Sequence, residues 1–487
     1  MAFRRLQVNG GDPDLPDVIG LADYRLGWTT VQPRVVQQIL GAEYQPGLVR
    51  IIDLPKDELN VRPLARLDVI DRLVFESSVF GMASFIDRTL PSSVYSYRWS
   101  RSKQSLYAPT SRWMAMQKRG RSLHRKYPLR LLAKTDVTSF YEYVDIDILE
   151  DDLGGVNVPE WARISTLRFL KAFSQRSEAW GLPQGSDASG VLANLYLLPV
   201  DHLISKLGLA HLRYSDDLMV LGRSWPQLRG ALIDVNRQLR SRHLSTSSGK
   251  TKIIEPGDIL RELEDTEKDA IRYGIEISSP GSAERLRDLF DRAVSSLPVN
   301  GRDLRFALNQ MCITGDGHAI PWLMSHLDKV PHMIRDVLKY FECMTETGRD
   351  MSTFLAECIG KRSLRLYPYA ERHIVSSLIR LGSTATAKSH CWDIVHDRNE
   401  EELLREFCAR LVGQRLAPGE GANLRRLFEN EPSVDVRRAL LVAMYEGAAA
   451  SDRWLTAVGG SSPELRLVCE YLLSHPQEIP DPKLGKR

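Results

Sequence analysis

The residues best suited to chemistry are Asp216 and Asp217, two adjacent carboxylates that interrupt the apolar run Leu212 to Leu221. Leu212 and Tyr214 lead in, and Leu218, Val220 and Leu221 lead out. The period predicts two short strands with the acid pair at a tight turn between them. Adjacent acids near a core repel each other and call for positive compensation, and a divalent cation is the natural candidate. An Asp-Asp turn exposed to solvent is the plainer reading of the dipeptide taken alone. Two other stretches bear on that choice. In one, the apolar strand Leu131-Leu132-Ala133-Lys134-Thr135 ends on Asp136 and is followed by a turn and the pair Phe140-Tyr141. In the other, the loop Gly181-Leu182-Pro183-Gln184-Gly185-Ser186 runs into an apolar helix through Ser189, Gly190 and Leu192-Ala193-Asn194.

In this order Asp136-x-x-x-Phe140-Tyr141, Leu182-Pro183-Gln184-Gly185 and Tyr214-Ser215-Asp216-Asp217 resemble the palm of a reverse transcriptase. The resemblance implies RNA-directed DNA synthesis from dNTPs with two Mg²⁺ ions about 4 Å apart, Mn²⁺ being the alternative metal. It makes Asp136 and Asp216 the principal metal ligands, with Asp217 supporting and Val137 adding a backbone carbonyl. Such hard oxygen donors are what Mg²⁺ demands. It places Tyr141 under the sugar of the incoming nucleotide, where the ring fills the space of a 2′-hydroxyl. Gln184 and Gly185 match the loop that positions template and nucleotide, and Lys250 matches the lysine near the leaving phosphate. Arg62 matches a fingers arginine that contacts the triphosphate, with a solvated strand-end arginine as the alternative. Two departures stand out. Gly190 replaces the Pro that many relatives carry after the motif Ser, which would loosen the helix start, and no Phe-Leu-Gly primer grip follows downstream.

The elements that must position these groups can be read around them. Val61-Arg62-Pro63-Leu64 leads into an amphipathic helical pattern that ends near Leu90. From Arg88 to Thr135, 48 positions hold no Asp or Glu in a chain that is 26% charged. Arg98, Arg101, Lys103, Arg112, Lys118, Arg119, Arg121, Arg125 and Lys126 lie there, threaded with Tyr95, Tyr97, Trp99, Tyr107, Trp113 and Tyr127. Bases and aromatics so mixed fit phosphate contact with base stacking, the alternative being a basic loop with core aromatics. Trp225 to Leu239 has helical spacing, and Ser278 to Ser282 reads as a domain boundary.

At 487 residues and a net charge of +3, the chain has room for two to four domains, and its near-balanced charge points to no partner by itself. Six widely spaced cysteines, all beyond residue 311, form no Cys-x-x-Cys pattern and read as reduced core thiols. No apolar stretch suggests a signal peptide or a membrane span, so a cytoplasmic protein is expected. Beyond residue 280 the period is helical. Arg335, Arg372, Arg405, Arg437 and Arg466 recur at steps of 37, 33, 32 and 29, which suggests a HEAT-like solenoid, with an irregular bundle as the alternative. The expected architecture is α+β: an irregular N-terminal arm over 1–50, fingers and palm over 51–280, and an α-helical repeat domain over 281–487. A palm with such a tail resembles the abortive-infection and defence-associated bacterial reverse transcriptases. That resemblance implies anti-phage defence, an RNA template or noncoding RNA, a DNA product and a homo-oligomer. A group II intron or retron-like reverse transcriptase, or an idle RNA-binding scaffold, are the alternatives.

Overall fold

Carboxylates at strand ends need a rigid sheet beneath them, and four short segments build it. The computed structural model describes every residue except 1, 10–13, 42–43, 48, 177–179, 347–349, 361–366 and 483–487. Strands β1 (Arg50–Pro55) and β2 (Val61–Arg66) form one small sheet, and β3 (Trp99–Ser100) and β4 (Ser105–Leu106) form another. Strands β5 (Leu131–Thr135), β6 (Ala210–Tyr214), β7 (Asp217–Gly222) and β8 (Lys252–Ile254) make an antiparallel sheet in the order β6-β7-β5-β8. Thr135 pairs with Leu218 and Tyr214 with Asp217. Asp136, one residue beyond β5, therefore stands at the same sheet end as the acid pair.

Helices cover both faces of this sheet, which explains why β7 is apolar from Leu218 onward instead of alternating. They are α3 (Val69–Thr89), α4 (Pro109–Lys126), α5 (Ile146–Gly154), α6 (Glu160–Arg176), α7 (Asp187–Tyr196), α8 (Leu198–Lys206), α9 (Trp225–Arg240) and α10 (Ile259–Leu263), and α1 (Ala2–Asn9) and α2 (Ala22–Leu40) precede them in the chain. Ala133, Leu218 and Val220 pack with Phe75, Phe169 and Leu192 from α3, α6 and α7. Leu132, Met219 and Leu221 point the other way, onto Met116 and Leu123 of α4 and Ile259 and Leu263 of α10. The Asp68 side chain caps α3 by accepting from the Ile70 amide at 2.8 Å.

The expected irregular arm is corrected by α1 and α2. Gly27 and Pro33 read as punctuation, yet α2 runs through both. A Cβ on Gly27 would lie 2.3 Å from Leu467 Cδ2, so this glycine serves close packing and not a turn.

The chain forms two compact units. Arg34–Ile51 and Pro63–Glu267 belong to the first, and Phe3–Pro33, Ile52–Arg62 and Lys268–Arg487 to the second. The described residues of the second include α11 (Thr266–Glu276, from Lys268), α12 (Ser282–Ser295), α13 (Gly301–Thr314), α14 (Ile320–His326), α15 (Ile334–Glu346) and α16 (Ser352–Cys358). The helix α15 and the helices Pro368–Leu381, Glu402–Gln414, Val434–Glu446 and Arg466–Leu473 pack each on the next. Arginines lace this unit together. Arg405 is buried against Glu431 at 2.5 Å, Arg410 donates to the Val18 and Pro480 carbonyls, and Arg438 bridges Asp17 and Asp23. The reduced-thiol expectation fails for one pair. Packing of α13 on α15 brings the Cα atoms of Cys312 and Cys343 to 5.7 Å, and the two are joined in a disulfide, while Cys358, Cys391, Cys408 and Cys469 are free and buried.

The closest helix approach yields a test. A Cβ on Gly413 would fall 2.4 Å from Ala443 Cα and 2.6 Å from its carbonyl oxygen. Gly413→Ala gains about 1 kcal/mol of helix propensity but overpacks against backbone at roughly 1–3 kcal/mol or more. Net destabilisation of about 1–2 kcal/mol should appear as a lower urea midpoint. A midpoint at or above wild type would mean that the helices part without cost.

Candidate active site

The hairpin tip is held from beneath by a buried polar network. Arg213 on β6 is fully buried and ion-paired with Asp201 of α8 at 2.6 Å. It also donates to Asn194 Oδ1 at 2.9 Å and to the Ser215 carbonyl at 3.0 Å. Burial pushes Asp201 up, but Arg213 and His211 outweigh it and hold its carboxyl below the usual carboxylate range. Ser215 takes the left-handed conformation (φ 58°), and its N–H donates to Ser96 Oγ at 2.7 Å. The turn's geometry is thus set by side chains outside it. Arg213, Asp201 and Ser96 were given no role from sequence, and Asn194 was read only as part of the helix after the Gly-rich loop. The available signal was Arg213 itself, a charge inside an otherwise apolar strand that demands a buried partner.

Asp216 and Asp217 project from this tip beside Asp136, which is buried. Burial, and then the like charge of Asp136, push Asp216 up to about 6, and burial raises Asp217 as well. Lys250 Nζ meets Asp136 Oδ2 at 2.7 Å. Burial works against its ammonium, but the Asp136 hydrogen bond and charge outweigh that and raise its pKa. Val137 forms a bridge with Thr246, flanked by Thr138 N–H donating to the Ser245 carbonyl and Ser247 N–H donating to the Asp136 carbonyl. That pattern marks a non-hydrogen-bonded pair, so the Val137 carbonyl faces away from this segment, toward the β7 side. The donor set is hard oxygen throughout, of the kind that Mg²⁺ takes. With Lys250 seated on Asp136, no three His, Cys, Asp or Glu groups among the described residues are arranged to enclose a metal ion.

Beside the acids lies an aromatic shelf. Phe140 is buried in the core, while Tyr141 is half-buried with its hydroxyl 3.2 Å from Ser215 Oγ and in contact with that of Tyr97. Gly181 (φ 75°) docks the Gly-rich loop there, because a Cβ would fall 2.2 Å from the Tyr141 carbonyl, and the Leu182 N–H donates to that same carbonyl at 2.8 Å. Gln184 donates to Glu142 at 3.0 Å, and Gly185 is exposed. Gly190 does not loosen α7, whose Ser186 cap accepts from the Ala188 N–H. Its missing side chain makes room for the Tyr97 ring, 2.5 Å from where a Cβ would stand. Arg62 is exposed on β2, within the segment that belongs to the second unit, and the fold of the first unit does not bring it to the acids.

The basic stretch divides. Arg98 is corrected to a structural role: its guanidinium binds Asp87 at 2.6 Å and the Pro91 and Val94 carbonyls, which leaves it little capacity for phosphate. Arg112 is half-buried over the Tyr95 and Tyr107 rings, and Arg121 is paired with Glu264. Arg101 and Lys103 are exposed, as are Lys118, Arg119, Arg125 and Lys126 on α4, whose buried side carries Met116, Gly120 and Leu123.

With this geometry in place, residues 54–275 match the family model described as reverse transcriptase (RNA-dependent DNA polymerase). The chain carries a reverse transcriptase domain. No curated protein matches the chain. The domain indicates RNA-directed DNA polymerase activity, a nucleotidyl transfer that takes dNTPs and a nucleic acid template.

Charge at the acid cluster and on α4 can each be tested. The folded chain holds the Asp216 proton more tightly than the unfolded chain, whose value is 3.8, so the stability this group contributes is full below about pH 4 and is lost as pH rises through about 6. By pH 7 the deficit is on the order of 3 kcal/mol. Asp216→Asn should therefore raise the melting temperature of the metal-free protein at pH 7 but not at pH 4, and equal melting at both would remove the buried-charge account. On α4, reversing Lys118, Arg119 and Arg125 to Glu should weaken RNA binding. It should also reduce the slope of log K against log salt by roughly 0.7 for each single-strand phosphate that is no longer neutralised. A wild-type slope would mean that this face meets no nucleic acid.

Proposed function

We propose that the chain synthesises DNA by two-metal nucleotidyl transfer, with Asp136, Asp216 and Asp217 as the carboxylate set, in bacterial anti-phage defence. The observation that carries the chemical part is the meeting of Asp136 with the Asp216–Asp217 tip at one sheet end, where like charges and burial push Asp216 up to about 6. Asp136 and Asp216 would hold the ions, with the Val137 carbonyl and Asp217 in support. Bound Mg²⁺ supplies activation of the attacking hydroxyl and neutralises charge on the triphosphate.

The remaining residues act by binding and positioning. Lys250, exposed at its tip yet able to reach Asp136, carries the charge that suits a polyphosphate. Tyr141, anchored through Ser215 and Tyr97, presents a ring edge that a ribose 2′-hydroxyl would strike. Such exclusion discriminates without a hydrogen bond, because packed sites relax only in part. Gln184 and Gly185 lie on the loop that Gly181 fastens to the Tyr141 carbonyl, so template and nucleotide positioning share one anchor. The exposed bases of α4, with Arg101 and Lys103, are assigned to the nucleic acid backbone. Arg62 is assigned to the triphosphate through a fingers module.

The arrangement of these parts as fingers and palm, the HEAT-like character of the second unit, a homo-oligomeric state and a cytoplasmic location complete the proposal. Stacked helices following a polymerase domain support the defence assignment. No helix among the described residues is long and apolar enough to cross a membrane. A noncoding RNA or another RNA serves as template.

Primer extension with separate dNTPs and rNTPs tests the chemistry. Asp216→Asn should lower synthesis by orders of magnitude while the protein stays folded. Tyr141→Ala should admit rNTPs with a modest loss of dNTP use, whereas Phe140→Ala should chiefly destabilise by about 3–5 kcal/mol. Full synthesis by Asp216→Asn would overturn the catalytic assignment, and an unchanged dNTP/rNTP ratio in Tyr141→Ala would move selection to another residue. Loss of phage protection in cells expressing Asp216→Asn tests the defence role. Undiminished protection would separate defence from synthesis.

A further inference from the structure

The helical unit holds a second concentration of positive charge that DNA synthesis at the acid cluster does not use. Lys268 and Arg272 on α11, Arg302 and Arg305 on α13, and Arg335 and Lys339 on α15 line one cavity of about 480 Å³. Lys268 and Arg272, like Arg335 and Lys339, are four residues apart on one helix, where like charges repel and destabilise. Four acids answer these six bases: Asp303 on Lys268, Asp269 on Arg272, Asp336 on Arg305 and Asp14 on Arg335. Arg302 and Lys339 are exposed and have no carboxylate partner among the described residues. Arg302 and Lys339 therefore present two positive charges at this cavity that an anion would relieve.

Its other walls narrow the chemistry of that anion. Phe306 is half-buried on α13, with Lys268 5.8 Å and Arg272 5.5 Å from its ring centre, so an aromatic face already collects cations. Gln310, one helical turn further on, lines the cavity, and its side-chain amide makes no hydrogen bond to the described residues, so it is open to a ligand there. The volume lies within the roughly 300–1,000 Å³ of sites for small ligands. Inorganic phosphate or an acidic peptide would use the bases alone. A nucleotide unit uses all three features.

We propose that this cavity binds a phosphorylated nucleotide unit, with phosphate on Arg302 and Lys339, the base against Phe306, and Gln310 on a base edge. A single strand and a free nucleoside triphosphate share that chemistry. This goes beyond polymerisation, since it places nucleotide binding in the second unit, independent of the acid cluster.

The test is photo-crosslinking of the full chain, without metal or dNTP, to an oligodeoxynucleotide carrying 4-thiothymidine, followed by peptide mapping. Crosslinks are expected in the peptide spanning residues 302–310. In the Arg302→Ala/Lys339→Ala double variant they should fall about tenfold, the loss of roughly 1.4 kcal/mol. Neither side chain has a carboxylate partner to lose, so an unchanged melting temperature verifies the fold of that variant. Displacement by dTTP would assign the site to the mononucleotide, and displacement only by unlabelled oligonucleotide would assign it to a strand. Both uphold the proposal. Absence of crosslinks at 302–310 in wild type, or an equal yield in the double variant, overturns it. No synthesis enters the readout, so the Asp216→Asn chain should crosslink as wild type does, and failure of the catalytic assignment would leave this result untouched.

Discussion

The buried pair of Arg213 and Asp201 is the constraint on which the acid cluster depends. A charge inside a β-strand is tolerated only when its partner and all its donors are satisfied, and Arg213 satisfies that condition by spanning three elements. Its bond to the Ser215 carbonyl fixes the residue before the acids, and its bond to Asn194 ties the same tip to the helix that follows the Gly-rich loop. One guanidinium therefore sets both the turn that carries the carboxylates and the helix behind them. Removing either partner would leave an uncompensated buried charge, at roughly 3–5 kcal/mol.

Against that rigid support stands a cluster that is electrostatically uncomfortable. Three carboxylates gather where burial disfavours charge, and the one ammonium that reaches Asp136 leaves Asp216 with a strongly raised pKa. The fold gives up stability here and recovers it in places such as the core beneath β5 and β7. Sites that must attract cations are commonly built in this way, with function at the expense of local stability. The second unit handles charge differently. There, Arg405 is buried and Arg438 half-buried, each against carboxylates, so charge joins helices to one another and to the Asp14–Asp23 segment.

Much of the first unit was legible in the sequence because its signals are local. The Leu212 to Leu221 hairpin, the β5 strand ending at Asp136, the helix ending near Leu90 and the helix after the Gly-rich loop each follow from period and turn chemistry within a short window. What was not legible depends on partners far along the chain. Arg98 reads as one base among many until Asp87 and two carbonyls close around it. Gly27 and Pro33 read as breaks until Leu467 explains the glycine. Cys312 and Cys343 read as isolated thiols until α13 and α15 pack side by side. Arg62 matched a motif by position, yet it belongs with Ile52–Arg62 to a different unit from the acids. The cavity between α11, α13 and α15 had no motif at all, since its bases are spread over more than seventy residues.

Gly190 and Tyr97 carry a consequence for how this chain can change. The ring fills the volume that a side chain at 190 would take, so the two positions share a single allotment of space although ninety-three residues separate them. A sequence with proline at 190 must hold its residue 97 elsewhere, and with it the hydroxyl that meets Tyr141. The aromatic shelf and the start of α7 are therefore inherited together: drift at either position is confined until the other has moved.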